Sequence, residues 1–164
     1  MSDAPEIIIR LAGPADAPPL ARLRYEFRAC HDPVTEDEAH FLARCGAWMA
    51  ARLAHGSHWR CWVVEEAGRL VGAIWLQMIE KIPNPGAETE NHGYISNLYV
   101  EPPRRGAGLG SMLIDACLRF CGEKEAVDAV ILWPTPRSRR LYERHGFAVR
   151  EDILERRSGP TPSP

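Results

Sequence analysis

A glycine-rich segment is the part of the sequence best suited to chemistry. Residues 105–111 read RGAGLGS and lie between a predicted strand and a predicted helix. Unpaired backbone N–H groups at a helix N-terminus, together with the helix dipole, favour an anion. Glycines let a pyrophosphate approach the backbone, and some positions in such a nest require a positive φ. This segment, here named the glycine loop, is a candidate phosphate site, although a glycine-rich turn can also be only a turn.

Three phosphate-binding patterns bear on the glycine loop. The Walker pattern G-x-x-x-x-G-K-[ST] fails because the segment contains no lysine. The dinucleotide pattern G-x-G-x-x-G fails at its third glycine, where Ser111 stands, although Asp128 lies near the distance expected for a ribose-binding acid. The dinucleotide fold also needs more strand–helix units than remain in the chain. The third pattern, R/Q-x-x-G-x-G/A, is matched in full by Arg105, Gly108 and Gly110.

In this third pattern the sequence resembles the GNAT acetyltransferase superfamily. The similarity extends over residues 94–104 (YISNLYVEPPR), the glycine loop with its helix, and residues 141–147 (LYERHGF). That order looks like the family's acetyl-CoA loop followed by its tyrosine-bearing helix. The resemblance covers residues 94–150 by motif and the rest by the predicted order of elements. It implies an N-acetyltransferase that uses acetyl-CoA and a primary amine of a small molecule or peptide.

The resemblance also implies which residues hold acetyl-CoA. The backbone of Leu98, Tyr99 and Val100 would hold the pantetheine arm, because an extended arm carrying amides can pair with a free strand edge. The N–H of Val100 would polarise the thioester carbonyl. Thr135 lies where family members often carry asparagine, which makes it a weaker cofactor contact. The CoA pyrophosphate would rest on the amides of Arg105, Gly106, Ala107, Gly108, Leu109, Gly110 and Ser111.

Tyr142 is the catalytic side chain that the resemblance implies. It would be the acid that protonates the departing CoA thiolate, because a phenol and a thiol have pKa values close enough for this transfer in a dry site. Tyr142 could instead pack as an aromatic side chain next to Phe147, with its hydroxyl satisfied structurally. Arg137, Arg139 and Arg140 either reach a CoA phosphate or form a solvated face at the start of a helix.

The general base is not singled out by the sequence. An amine attacks a thioester only when neutral, so the site needs a proton acceptor or a chain of water molecules. Glu80 at the end of the third strand and His92 before the fourth are the candidates, because both flank the loop expected to border the acceptor side. The alternative is that they are an exposed strand-end charge and a loop histidine.

Four acidic residues could attract a cationic amine. Glu88 and Glu90 lie in the long loop at residues 81–92, and Asp37 and Glu38 lie at the start of the second predicted helix. Solvated surface charges would look the same in the sequence. Small-molecule amines, polyamines, antibiotics and peptides all remain open as acceptors.

The elements that position these residues follow from periodicity and capping. Apolar runs predict strands at residues 7–9, 61–64, 70–79, 94–100, 127–133 and 147–154, and residues 65–69 have the length of a hairpin connection. Helices are expected from an N-cap at Asp16, from a capping box of Thr35 and Glu38, and over residues 109–120 and 138–145. Strand, helix, strand, helix near the C-terminus implies a parallel crossover.

We expect an α/β (α+β) fold with a mixed, mostly antiparallel sheet of six or seven strands flanked by helices. The resemblance implies a splay between the two parallel strands, near residues 94–100 and 127–133. A chain of 164 residues fits a single N-acetyltransferase domain over residues 1–157, followed by a disordered tail at residues 158–164.

Composition limits the compartment and the partners. A net charge of −2 gives no electrostatic argument for binding nucleic acid or an anionic membrane. Five cysteines without C-x-x-C spacing, and no signal-like or membrane-spanning apolar run, indicate a cytoplasmic protein. His55 and His58 have no third ligand nearby, so no metal is expected. A homodimer rests on analogy alone. A noncatalytic acyl-CoA-binding module and an NAD- or ATP-binding protein are the rival functions.

Overall fold

The computed structural model describes residues 6–86, 91–123 and 127–156. The strands are β1 (Ile7–Leu11), β2 (Trp59–Glu66), β3 (Arg69–Glu80), β4 (Asn91–Val100) and β5 (Val127–Ile131). The helices are α1 (Ala17–Ala29), α2 (Glu38–Leu53), α3 (Leu109–Glu123) and α4 (Arg139–Arg144), with short 3-10 turns at Pro14–Asp16 and Pro102–Arg104. The chain divides into two compact units, Met1–Trp133 and Pro134–Pro164.

The strands form one mixed sheet in the order β1-β2-β3-β4-β5. The first four strands pair antiparallel with their neighbours, and β4 pairs parallel with β5. The crossover between the parallel strands contains α3, as the strand–helix–strand order predicts. The expected mixed, mostly antiparallel architecture is therefore confirmed.

The number of strands differs from the expectation. The described residues contain five strands, not six or seven, because residues 147–154 form no strand. Val149 is 80% exposed and Leu154 is 95% exposed, so this segment does not bury an apolar face. Arg150 instead bonds the carboxylate of Asp152 at 3.1 and 3.0 Å, beside a turn at residues 151–152. A strand needs a paired neighbour and a buried face, and apolar residues alone do not supply them.

The hairpin between β2 and β3 is confirmed and is tighter than the apolar runs predict. Pairing continues to Glu66 and Arg69, so only Ala67 and Gly68 connect the strands. Their φ values of +49° and +75° match the two-residue turn that follows the natural twist of a hairpin.

At both predicted helix starts, the capping in the structure differs from the capping expected from the sequence. The helix α2 begins at Glu38, and Asp37 rather than Thr35 accepts the capping backbone hydrogen bond. Aspartate is the stronger N-cap residue, which accounts for the shift. Asp16 precedes α1 as expected, but its side chain makes no cap bond to α1 because it pairs with Arg10 at 2.8 Å.

Alternate residues of the strands face helices on opposite sides of the sheet. The side that packs against α1 and α2, here named the α1/α2 face, carries Cys61, Val63, Ala73, Trp75 and Tyr99 together with Leu20, Leu23 and Met49 from the helices. On the opposite side, the α3 face, Trp62 contacts Phe120 of α3 with ring centroids 5.3 Å apart. The sheet is therefore covered on both sides where β2, β3 and β4 cross the core.

Some sequence expectations fall outside the described residues. The acidic loop residues Glu88 and Glu90 lie in the stretch 87–90, and the expected tail at 158–164 lies beyond residue 156. Across the three described ranges, no helix has the length and apolar character needed to cross a membrane.

Candidate active site

The parallel strands β4 and β5 separate near the middle of β4. Their pairing runs from Asn91 with Val127 to Tyr94 with Ile131, and residues 95–100 of β4 continue without β5. The ring of Tyr94 contacts that of Trp133 at this point, with centroids 5.1 Å apart and planes at 74°. The predicted splay is confirmed, and it leaves one edge of β4 unpaired in the described part of the sheet.

The backbone of Val100 faces this unpaired edge. The N–H of the next residue, Glu101, donates to Val71 of β3 at 2.9 Å. Because successive N–H groups in a strand point to opposite sides, the N–H of Val100 points away from β3. The carbonyl of Val100 faces the same edge and accepts a hydrogen bond from Nε of Arg105 at 2.9 Å. An extended group with amides could therefore pair with β4 here.

A bulge interrupts β4 just before this edge. Trp75 of β3 pairs with Ser96 and Ala73 pairs with Tyr99, so β4 contains one extra residue between these partners. Asn97 occupies the bulge with φ +53°, a left-handed conformation that asparagine tolerates better than most non-glycine residues. Its side-chain oxygen accepts a hydrogen bond at 2.7 Å from Nη1 of Arg24 in α1. Sequence analysis missed both Asn97 and Arg24.

The glycine loop follows β4 directly and leads into α3. Gly106 and Gly108 have φ values of +83° and +79°, as expected for a nest that needs positive φ. A Cβ atom at either position would meet no heavy atom within 4 Å, so the space beside the loop is open. Gly110 lies in the first turn of α3. Leu109 is 2% exposed and anchors this end of the helix in the core.

Arg105 links the glycine loop to the end of β4. Besides its bond to Val100, its guanidinium lies 5.6 Å from the ring centroid of Tyr99. Burial, and then the nearby carboxylate of Glu26, raise the pKa of Tyr99. Leu98, Tyr99 and Val100 thus lie next to the loop residues that the sequence assigns to the same ligand.

The second unit contains Thr135 and Tyr142. Thr135 begins a helical turn, because its carbonyl accepts from the N–H of Arg139 at 3.0 Å and its hydroxyl from the N–H of Ser138 at 3.3 Å. Thr135 therefore caps the turn at residues 136–138, whereas the N-cap residue of α4 itself is Ser138. Tyr142 of α4 is 7% exposed, and its ring packs against Phe147 at 5.6 Å. The aromatic packing considered for Tyr142 is therefore present. Arg137, Arg139 and Arg140 are exposed.

The two candidate bases are not brought together. His92 pairs with Ile79, the residue before Glu80, so the side chains of His92 and Glu80 point to opposite faces of the sheet. Gly72 is the partner of Val100, and eight positions separate it from Glu80, which is roughly 26 Å along an extended strand. His92 is equally far from Val100 along β4. At that separation along the strands, a proton would have to travel between Val100 and either residue through water molecules.

A cavity of about 610 Å³ lies at the far end of β3. Its walls come from the end of α2, the turn before β2 and the last residues of β3, and they include His55, His58 and Glu80. An extended arm needs a strand edge with unpaired backbone groups, so the free edge of β4 is the better candidate site. Within the described ranges, no three His, Cys, Asp or Glu side chains are grouped to hold a metal ion.

Comparison with known proteins gives a family and named relatives. Residues 20–147 match the Acetyltransferase (GNAT) family. Mycothiol acetyltransferase of Salinispora arenicola is 34% identical over 88 residues, which are 52% of this chain and 27% of that protein. Glucosamine 6-phosphate N-acetyltransferase of Trypanosoma brucei brucei is 34% identical over 88 residues, which are 53% of this chain and 56% of that protein. The matched part of the chain thus spans 27% of the first relative's length and 56% of the second's.

The fold is also similar to that of a solved structure. A Clostridium acetobutylicum protein described as a predicted acetyltransferase, with acetyl-CoA, superimposes with a TM-score of 0.71. The match covers 93% of this chain and 96% of that one at 21% identity. At this identity, the similarity supports the fold.

Proposed function

Because the chain belongs to the Acetyltransferase (GNAT) family, we propose that it transfers the acetyl group of acetyl-CoA to a primary amine of a small molecule or peptide. The observation that carries the proposal is the unpaired edge of β4, which leads directly into an open glycine loop. The two features are adjacent and suit the two parts of one ligand, an extended amide-bearing arm and a pyrophosphate.

The glycine loop would hold the pyrophosphate. Arg105, Gly106, Ala107, Gly108, Leu109, Gly110 and Ser111 supply the backbone amides at the start of α3. These N–H groups and the dipole of a helix of 15 residues favour an anion at this position. The open space beside Gly106 and Gly108 supports the fit, because a side chain there would occupy the volume that a phosphate needs.

The edge of β4 would hold the arm and stabilise the reaction. Leu98 and Val100 offer backbone groups on the free edge to the pantetheine amides, whereas those of Tyr99, between them, point toward β3. The N–H of Val100 is the donor for the thioester oxygen. In the reaction, the amine nitrogen bonds to the acetyl carbonyl carbon and the carbon–sulfur bond breaks. A donor fixed in advance stabilises the negative charge that develops on the oxygen during this step.

Tyr142 is proposed as the acid that protonates the CoA thiolate. Support comes from its burial and from the family motif at residues 141–147. Thr135 is proposed as a cofactor contact of lesser weight, because its hydroxyl is already engaged with Ser138. No role in binding phosphate is assigned to the exposed arginines at the start of α4.

Glu80 and His92 stay candidates for the base only through a chain of water molecules. The pH dependence of kcat/KM tests each of them separately when each is replaced in its own variant. Replacement of the true base by glutamine should remove the lower limb of the profile. If Glu80→Gln and His92→Gln both leave that limb unchanged, the base is another group or bulk water.

The acceptor is proposed from the names of the relatives. The names of mycothiol acetyltransferase and glucosamine 6-phosphate N-acetyltransferase both refer to small molecules, mycothiol and an amino-sugar phosphate. A small-molecule amine is therefore the first acceptor class to test, with peptides second. That the protein is cytoplasmic and that it forms a homodimer both remain predictions.

The test is release of free thiol from acetyl-CoA with a panel of amines, with the acetylated product identified by mass. We expect amine-dependent thiol release together with a product heavier by one acetyl group. Tight acetyl-CoA binding without turnover of any amine would instead favour a noncatalytic acyl-CoA-binding module. Absence of acetyl-CoA binding would contradict both functions.

A further inference from the structure

Arg24 is a partly buried cation without a carboxylate partner among the described residues. Its neighbours on α1 are paired, since Arg22 contacts Glu38 and Arg28 contacts Asp32. Arg24 instead donates from Nη1 to the neutral side-chain oxygen of Asn97 at 2.7 Å. Burial, followed by the charge of Arg28, lowers the pKa of Arg24.

A partly buried cation without a counter-charge lowers the stability of the fold, so a functional role for such a residue is expected. The guanidinium packs on Phe27, with its central carbon 5.5 Å from the ring centroid. Removing a charge from water without a counter-charge costs free energy that this contact and one neutral hydrogen bond do not fully replace. The position therefore suits an anion that arrives with a ligand.

The location of Arg24 connects it with the free edge of β4. Asn97 lies in the bulge, inside the part of β4 that β5 has left. Ser96, Asn97's neighbour, pairs with Trp75, and Tyr94 pairs with Gln77, which places both on the α1/α2 face. Arg24, on α1, reaches the bulge from this same side.

The two faces of the splay would then serve different substrates. The glycine loop leads into α3, which packs on the α3 face, so the arm of acetyl-CoA would enter from that side. On the α1/α2 side, the half-buried residues Tyr94, Ser96 and Asn97 of the splay are left for the amine. This assignment rests on the function proposed above.

We propose that Arg24 binds an oxyanion of the acceptor, a carboxylate or a phosphate, so that the substrate carries an amine and an anion in one molecule. Nη1 of Arg24 donates to the side-chain oxygen of Asn97. The remaining N–H groups of the guanidinium can bind an oxyanion with two parallel hydrogen bonds. This differs from the sequence expectation that acidic residues select a cationic amine.

The spacing indicates how far apart the two groups are. Asn97 and Val100 are three positions apart, roughly 10 Å along the strand. An acceptor that reacts near Val100 while its anion rests on Arg24 needs several bonds between amine and anion. Amino-sugar phosphates and the ε-amine of a lysine with a free carboxylate have such a separation.

The experiment compares kcat/KM for matched acceptors in the full-length protein. One pair is glucosamine 6-phosphate and glucosamine, and the other is Nα-acetyl-lysine and its methylamide. Wild type should prefer the anionic member of at least one pair by about 10- to 100-fold, the range for a charged hydrogen bond. The pair that shows the preference identifies the oxyanion as phosphate or carboxylate.

Three variants assign the preference to Arg24. Arg24→Gln should remove it through KM and leave acetyl-CoA binding unchanged, whereas Arg22→Gln on the exposed side of α1 should keep it. Asn97→Asp supplies a carboxylate partner and tolerates the left-handed backbone, so it should also remove the preference without loss of stability. This variant keeps the test valid if Arg24→Gln unfolds.

The outcomes separate this inference from the proposed function. Turnover of amines with equal kcat/KM for anionic and neutral members would overturn the role of Arg24 and leave the acetyltransferase standing. An anion preference that persists in both Arg24→Gln and Asn97→Asp would also overturn it. Failure to turn over any amine would overturn the proposed function and, with it, the inference.

Discussion

Replacement of Gly108 by alanine separates the two reasons for a glycine in the loop, backbone conformation and close approach of a ligand. At φ +79° an alanine costs about 1–2 kcal/mol of backbone strain. A new Cβ would meet no protein atom within 4 Å, so no steric cost adds to this in the free protein. For a chain of this size that strain should lower Tm by about 2–8 °C. Any further loss must come from the ligand.

Gly56 is a matched control for Gly108. It has the same φ of +79° and the same open surroundings, but it lies after α2, away from the glycine loop. Both alanine variants should lose similar stability without ligand. Only Gly108→Ala should weaken acetyl-CoA, by at least tenfold, or about 1.4 kcal/mol, because its methyl group would occupy the space of a phosphate oxygen.

Isothermal titration with acetyl-CoA measures this difference, and thermal unfolding of the free variants checks the common backbone cost. Equal dissociation constants for wild type and Gly108→Ala would refute the placement of the pyrophosphate on the glycine loop. An equal loss of affinity in Gly56→Ala would show that the effect follows from destabilisation rather than from contact with the ligand.

Tyr142, Asp16 and the cysteines each allow a separate test. Tyr142→Phe should lower kcat by about 100-fold and leave the dissociation constant of acetyl-CoA unchanged; a change in kcat below threefold would remove the acid role. The hydrogen bonds from Arg10 lower the pKa of Asp16, so wild type should be more stable than Asp16→Asn by about 1 kcal/mol at neutral pH. This difference in unfolding free energy should shrink as the pH falls below about 4, because Asp16 then becomes protonated. A difference that does not depend on pH would contradict this. Iodoacetamide should label exposed Cys30 in the native protein but reach Cys61 only after unfolding, because burial raises the pKa of that thiol, and mass mapping would expose the reverse order.

The features that could be predicted from the sequence are local ones. The hairpin at Ala67 and Gly68 follows from apolar runs separated by a short glycine-bearing connection. The positive φ values of Gly106 and Gly108 follow from the requirements of a phosphate nest. In each case, residues close in the chain determine the conformation, so their pattern carries the information.

The features that were missed depend on contacts between distant parts of the chain. The bulge at Asn97 is set by the register of β4 on β3 and by a hydrogen bond from α1. The same register places Glu80 and His92 on opposite faces, and a shift of one residue would have reversed that result. The segment at residues 147–154 has apolar residues typical of a strand, but strand formation depends on a partner edge that local sequence does not reveal.

Thermal unfolding with acetyl-CoA, CoA, dephospho-CoA, NAD and ATP at equal concentrations tests whether β4 and the glycine loop bind acetyl-CoA. Acetyl-CoA and CoA should stabilise the protein, by about 2.7 kcal/mol at 100 times the dissociation constant, and NAD and ATP should cause no shift. No shift with either CoA species, together with a shift from NAD or ATP, would contradict the assignment of β4 and the glycine loop to acetyl-CoA.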